Sequence, residues 1–127
     1  MTQSMTRRWL LFSLSMLFGC SQPSDYTPRH VAAAYLAHTT ALRMEIGKSL
    51  IAAPGKSVPQ AGSLTMPQTP GFKTPDFDFG WVTTGGAIVI QNTRFALVVL
   101  QEPTLDHGEV KWSCVVHPAE AKPNLCG

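Results

Sequence analysis

The stretch that decides the fold spans residues 79–116 and reads FGWVTTGGAIVIQNTRFALVVLQEPTLDHGEVKWSCVV. Four runs in it are rich in β-branched and aromatic residues, which favours strands, and they cover residues 79–83, 87–91, 94–100 and 109–116. Thr84-Gly85-Gly86, Asn92-Thr93 and the longer EPTLDHG separate the runs. Because these connections are short, the sequence predicts sequential antiparallel pairing in a four-stranded sheet.

The preceding stretch predicts one long amphipathic helix over residues 27–53. Thr27 is a good N-cap, Pro28 is tolerated at the first helical position, and Pro54-Gly55 ends the pattern. Bulky residues recur every three or four positions, at Val31, Tyr35, His38, Leu42, Ile46 and Leu50. This stripe can cover the apolar face of the sheet, so we expect an α+β fold with the helix packed on the sheet.

Residues 54–77 contain five prolines and three glycines, too many for regular central strands. We expect a long surface loop that is packed by Leu64, Met66, Phe72 and Phe77. Two interpretations stay open for Phe72 and Phe77: a docking patch, or a small core of the loop itself.

The N-terminus has the pattern of an export signal. Arg7 and Arg8 precede ten uncharged residues, 9–18, and then Gly19 and Cys20. Ten residues are too few to span a bilayer, which needs about 20, and the alternative is a buried helix. Residues 17–20, LFGC, resemble a bacterial lipobox. The resemblance implies that residues 1–19 are a signal peptide, that Cys20 carries lipid, and that residues 20–26 tether the domain to the outer membrane.

Export also bears on the other two cysteines, Cys114 and Cys126, which can oxidise in such a compartment. A bridge between them would close a loop of about 13 residues, 114–126, and contribute roughly 3 kcal/mol. The alternative is two unpaired cysteines. Trp112 and Cys114 alternate on one face of the last strand, so we expect Val110 and Val116 to face the helix with them.

The charges argue against a nucleic-acid partner. The formal net charge of +2 disappears when residues 1–19 are removed, since the remainder has eight basic and eight acidic side chains. His30, His38, His107 and His117 are scattered without metal-ligand spacing. Neither Asp106-His107 with Ser113 nor the Asp76 and Asp78 pair has the context of a catalytic site. We therefore predict no catalytic residues, no metal and no cofactor.

The order of these elements, with residues GEVKWSC and PNLC between Gly108 and Cys126, resembles the globular part of a type IV pilin or pseudopilin. Residues 30–50 are similar to the second half of the pilin helix. The resemblance implies a pilin-like domain over residues 27–127, with Gly108 and Trp112 as motif residues. Since no apolar half-helix follows the expected processing site, the domain would be a pilin head on a lipid tether.

The resemblance implies a non-catalytic accessory protein that interacts with pilin or type II secretion subunits. One alternative is a pilin mimic that interferes with pilus assembly or with phage that use pili. Another is a surface module for a ligand such as DNA, for which Lys111, Lys122 and Arg94 offer local positive charge. The expected interaction surface comprises Phe72, Phe77, Lys111 and Lys122.

Overall fold

The computed structural model describes residues 27–66 and 74–126, which form an α+β fold. The helices are α1 (Pro28–His38) and α2 (Thr40–Ala52). The strands are β1 (Gly62–Ser63), β2 (Phe79–Val82), β3 (Ile88–Asn92), β4 (Leu97–Asp106) and β5 (Glu109–His117). The expected signal peptide, Cys20, the tether and Phe72 lie outside the described residues.

The helical region begins as predicted, but the prediction of one continuous helix is wrong. Thr27 is the N-cap of α1, and its side-chain oxygen accepts a hydrogen bond from the His30 N–H at 3.2 Å. The helical pattern then breaks at Thr39, where φ is −98° and ψ is 3°. Two helices of 11 and 13 residues therefore replace the predicted long one.

Side chains that bond to the backbone explain the break. The Thr39 hydroxyl donates to the carbonyls of Tyr35 and Leu36, at 2.8 Å and 3.2 Å. The Leu36 carbonyl also accepts from the Thr40 hydroxyl at 3.3 Å and from Arg43 Nη1 at 3.0 Å. Such side-chain bonds compete with the regular backbone ladder of a helix.

The predicted sequential antiparallel pairing is confirmed, with strand order β1-β2-β3-β4-β5. The number of strands is five within the described residues, because two residues of the predicted surface loop join the sheet. Gly62 pairs with Val82, and Ser63 pairs with Trp81. Residues 54–77 are therefore not wholly a surface loop, and Leu64 and Met66 are buried as expected.

The connection predicted over EPTLDHG is mostly strand. β4 continues through Asp106, and the turn to β5 is only His107-Gly108. Both turn residues have positive φ, 50° and 79°, as a type I′ turn requires. The twist of such a turn suits a hairpin. Gly108 therefore serves the hairpin turn.

The helices pack on one face of the sheet and close the core. Val31, Tyr35 and Ile46 of the predicted stripe are fully buried, and the rest of the stripe is half-buried. They meet the inner side chains of the strands, including Val82, Ile88, Ile90, Leu97, Val99 and Val116. The amphipathic helix-on-sheet packing is confirmed in the form of two helices.

The predicted disulfide is present and joins β5 to the C-terminal segment. Cys114 and Cys126 are bonded, with their Cα atoms 5.3 Å apart. The closed loop contains two 3₁₀ turns, Ala119–Ala121 and Asn124–Cys126, which contact α1 and β5. Trp112 and Cys114 pack against the core, as expected for that face of the strand.

Candidate functional site

The sheet has a second apolar face, opposite the helices. The strand register aligns five outer residues in one row: Ser63, Trp81, Val89, Leu100 and Val115. A neighbouring row holds Phe79, Gln91, Val98 and His117. We define the outer band as the six apolar members of these rows: Phe79, Trp81, Val89, Val98, Leu100 and Val115.

The outer band is substantially exposed. Phe79, Trp81 and Val115 are 47%, 42% and 43% exposed, and the other three members are half-buried. The rings of Phe79 and Trp81 stack at 6.5 Å with an interplanar angle of 12°. A contiguous apolar surface of this kind typically marks a contact with another macromolecule, whereas isolated exposed apolar residues do not.

Polar residues border the band toward the β4–β5 turn. Glu102 pairs with Ser113, and Thr104 pairs with Lys111. The Lys111 ammonium lies 3.4 Å from Asp106 Oδ2, so a neighbouring carboxylate already balances its charge. The outer face therefore has an apolar centre with a polar rim on one side, which is the usual anatomy of a protein interface.

A groove of about 400 Å³ lies on the other side of the sheet, between the two helices and the disulfide. Its lining includes Leu36, Thr40, Arg43, Trp112, Leu125 and Cys126. Leu125 is 71% exposed at the groove, and Trp112 is half-buried. The groove therefore combines apolar walls with one cationic group.

The Arg43 guanidinium is fixed in this groove by neutral partners. Besides the Leu36 carbonyl, Nη1 donates to Thr39 Oγ1 at 2.8 Å and to Gln101 Oε1, and Nη2 donates to Thr40 Oγ1 at 3.1 Å. Burial lowers the pKa of Arg43. Among the described residues, no carboxylate lies within 4.0 Å of it. Within the described residues, the groove thus holds a half-buried positive charge without a counter-charge.

Gln101 makes this arrangement rigid. It is 2% exposed on the inner face of β4, and its Nε2 atom donates to Thr39 Oγ1 at 3.1 Å while its Oε1 atom accepts from Arg43. A buried amide that satisfies both of its ends fixes its partners in one geometry. The break between α1 and α2 therefore positions Arg43 against the sheet.

Two of the predicted interaction residues that the structure describes, Phe77 and Lys111, lie far apart. Phe77 is half-buried, and its ring meets Tyr35 edge-on at 6.1 Å. Lys111 and Lys122 are exposed. Lys111 pairs with Thr104, which lies seven residues along β4 from Leu97. Lys111 is therefore about 23 Å from the end of the sheet near Phe77.

Hydrogen bonds near Phe77 hold Asp76 and Asp78 against α1 and the end of β3. The Tyr35 hydroxyl donates to the Asp76 carbonyl at 2.6 Å, and Asn92 Nδ2 donates to both oxygens at 3.0 Å. Burial is the main reason that the pKa of Tyr35 is raised, while the Asn92 bond lowers it. Hydrogen bonds from the Thr93 N–H and hydroxyl lower the pKa of Asp78.

The hydrogen bonds of the described residues do not join Asp106, His107 and Ser113 into a triad. His107 Nδ1 lies 2.5 Å from Asp106 Oδ1 on the exposed turn, but Ser113 bonds the Glu102 carbonyl instead. Across residues 27–66 and 74–126, no group of three His, Cys, Asp or Glu residues could hold a metal. Over the same residues, no helix is both long and apolar enough to cross a membrane.

Comparisons with protein-family models, with curated proteins and with solved structures find no match to this chain. Sequence reasoning missed the outer band, although a signal was present. The runs AIVI and ALVVL are apolar at consecutive positions, and such strands carry apolar side chains on both faces of a sheet.

Proposed function

We propose that this protein is a non-catalytic, membrane-anchored interaction module that binds a protein partner through the outer band. The observation that carries this proposal is the exposure of Phe79, Trp81 and Val115 in register on one sheet face. When a partner covers exposed aromatic and aliphatic side chains, the binding free energy becomes more favourable by roughly 25 cal/mol per Å² of buried apolar surface. Interfaces are also enriched in tryptophan and other aromatic residues.

The outer face extends across the full width of the sheet. Five strands spaced about 4.8 Å apart give a width of about 19 Å from β1 to β5. A typical stable interface buries about 800 Å² on each partner. The apolar residues of the band extend from β2 to β5, and the polar rim borders them toward the β4–β5 turn.

The partner class that we propose is a component of a type IV pilus or type II secretion system. Three features support it: helices packed on an antiparallel meander, the KWSC and NLC motif pair, and the disulfide from β5 to the C-terminal segment. The fold departs from the single long helix that the resemblance to pilins implied, because the helix breaks at Thr39.

The proposed anchor is a lipid on Cys20 in the outer membrane, followed by the tether of residues 20–26. Seven extended residues reach about 24 Å, so the head would stay close to the bilayer surface. Several acyl chains make such anchoring stable, whereas a single chain would be marginal. The anchor restricts where the module can meet its partner.

A crosslinking pull-down tests the proposal. The tagged protein is crosslinked mildly in its native membranes and recovered, next to three variants: Cys20→Ser, Trp81→Ser and Met44→Ser. Met44 is 61% exposed on α2, away from the outer band, and is the matched control for loss of an exposed apolar residue. We expect pilus or secretion subunits with the parent protein and with Met44→Ser, and a clear loss with Trp81→Ser and Cys20→Ser. Equal recovery with Trp81→Ser would contradict the role of the band.

A further inference from the structure

The β5 strand is an open edge of the sheet. In the described residues, β4 is its only hydrogen-bonded neighbour strand, and no backbone hydrogen bond reaches it from the loops. The strand is nine residues long. Proteins usually shorten, cover or charge such an edge, because its free N–H and C=O groups can pair with another chain.

The register shows which backbone groups of β5 are free. Asp106 and Glu109 flank the two-residue turn, so they form a hydrogen-bonded pair, and the pairs then alternate along the ladder. The residues of β5 that fall in the non-bonded pairs are Val110, Trp112, Cys114 and Val116. Their N–H and C=O groups point away from β4, toward the open edge.

The Arg43 groove lies beside this edge. Trp112 and Cys114, whose backbone groups point outward, also line the groove with Arg43 and Leu125. A strand that paired with β5 would send alternate side chains toward the inner side of the sheet, where the groove is. The groove and the edge therefore form one continuous recognition surface.

The charge of the groove selects the chemistry of the occupant. Neutral groups hold Arg43 in place, and no carboxylate of the described residues balances it. A carboxylate from a partner would balance the charge of Arg43, through charge-assisted hydrogen bonds to the remaining N–H groups of the guanidinium.

We propose that the β5 edge binds an extended segment of a partner protein, which pairs with the strand and places an Asp or Glu carboxylate against Arg43. The backbone of β5 supplies affinity and the groove supplies selectivity, as in other strand-addition complexes. This inference deepens the proposed function, since it names how the module would hold a partner, but it stands on residues outside the outer band.

The test uses a phage-displayed library of linear twelve-residue peptides, selected on the purified, disulfide-bonded protein. We expect the selected peptides to combine β-branched residues with an Asp or Glu. Their affinity should fall about tenfold or more in Arg43→Gln and recover in part in Arg43→Lys. Lys48→Gln, at an exposed lysine of α2, is the control and should bind like the parent protein.

Amide hydrogen exchange on the unaltered protein provides a second readout, which does not depend on the stability of a variant. On peptide addition, the amides of Trp112 and Cys114 should gain protection, whereas those of Lys111 and Ser113, already bonded to β4, should not change. Absence of acidic peptides, equal binding to Arg43→Gln, or protection elsewhere would overturn the inference. Protection that rises with protein concentration alone would assign the edge to a second copy and overturn it as well.

The outcomes separate this inference from the proposed function. Trp81→Ser removes part of the outer band but leaves β5 and Arg43 unchanged, so the peptides should bind it normally. If membrane partners are lost with Trp81→Ser while peptide selection fails, the band is supported and the edge is not. If Trp81→Ser still recovers the membrane partners while acidic peptides bind the β5 edge, the edge is supported and the band is not.

Discussion

Gly86, in the turn between β2 and β3, lies so close to Ile46 of α2 that an added β-carbon would be 2.7 Å from the Ile46 Cγ2 atom. Its φ of 93° also belongs to a region that other residues rarely adopt. The Thr83 N–H donates to the Ala87 carbonyl at 2.8 Å and closes the turn. The glycine therefore lets α2 approach the end of the sheet.

Gly86→Ala should destabilise the protein by about 2–5 kcal/mol, because it adds a clash in the core to an unfavourable φ. Gly55→Ala is the matched control. Gly55 has a φ of 76° but no atom within 4 Å of an added β-carbon, so the loss should be about 1–2 kcal/mol. Urea unfolding measures both variants. Equal losses would show that the contact with Ile46 contributes nothing.

Removal of the disulfide should lower the free energy of unfolding by about 3 kcal/mol, since it frees a loop of about 13 residues in the unfolded chain. The change is Cys114→Ser together with Cys126→Ser, followed by chemical denaturation. Cys20→Ser is the control and should leave the stability unchanged, because Cys20 is not part of this bridge. A large effect of Cys20→Ser would argue for a different pairing.

The Asp78 carboxyl should titrate below 3.8, because Thr93 donates two hydrogen bonds to its charged form. A carboxyl group whose pKa is lower in the folded state stabilises the protein at pH values above its pKa in the unfolded chain. This stabilisation is lost as the pH falls through the folded-state pKa. Thr93→Val removes the hydroxyl donor and should raise the pKa of Asp78 toward 3.8. Carbon NMR of the Asp78 carboxyl against pH measures the shift.

Thr84→Val, at an exposed residue of the β2–β3 turn, is the control for that titration. It should leave the Asp78 midpoint where it is in the parent protein. An unchanged midpoint in Thr93→Val would mean that the hydroxyl bond at 2.8 Å does not form in solution.

The free protein should show alternating amide exchange along β5. The amides of Lys111, Ser113 and Val115 bond β4 and should exchange slowly, whereas those of Trp112 and Cys114 face the open edge and should exchange quickly. Residue-resolved NMR measures these rates. Uniform protection along the strand would show that the edge is already paired in solution.

The sequence predicted the periodic features of the fold well. The stripe from Val31 to Leu50 and the four apolar runs reflect burial, which repeats every 3.6 or two residues and can be recognised without the structure. The Cys114–Cys126 pairing followed from the expected compartment and the number of cysteines. These features depend on local pattern and on composition.

The features that the sequence did not predict depend on tertiary contacts. Thr39 ends a helix because its hydroxyl bonds the backbone and because Arg43 and Gln101 hold it there, and Gln101 is 62 residues away. Pro103 suggested a loop, yet it lies within β4. It is tolerated there because its pair with Trp112 is a non-hydrogen-bonded one, which needs no N–H directed toward β5. The two residues of β1 are too few to form a pattern.

The outer band was missed for a different reason. In the sequence, Val89, Val98 and Leu100 alternate with residues that face the helices. The runs therefore predicted apolar strands but did not predict an exposed apolar face. Whether the second face of a sheet is covered depends on where the helices lie, and both helices lie on the inner face. The exposed apolar face, and with it the candidate site, emerges only from the assembled fold.

The most direct test of the outer band as a binding surface places a photo-crosslinking amino acid at Trp81 in the full-length protein, expressed in its native cells. The same amino acid at Met44 is the control for an exposed apolar position outside the band. We predict a discrete adduct from position 81 that contains a pilus or secretion subunit, and none from position 44. No adduct from position 81, with the protein folded and at the outer membrane, would contradict the claim that the outer band binds a protein partner.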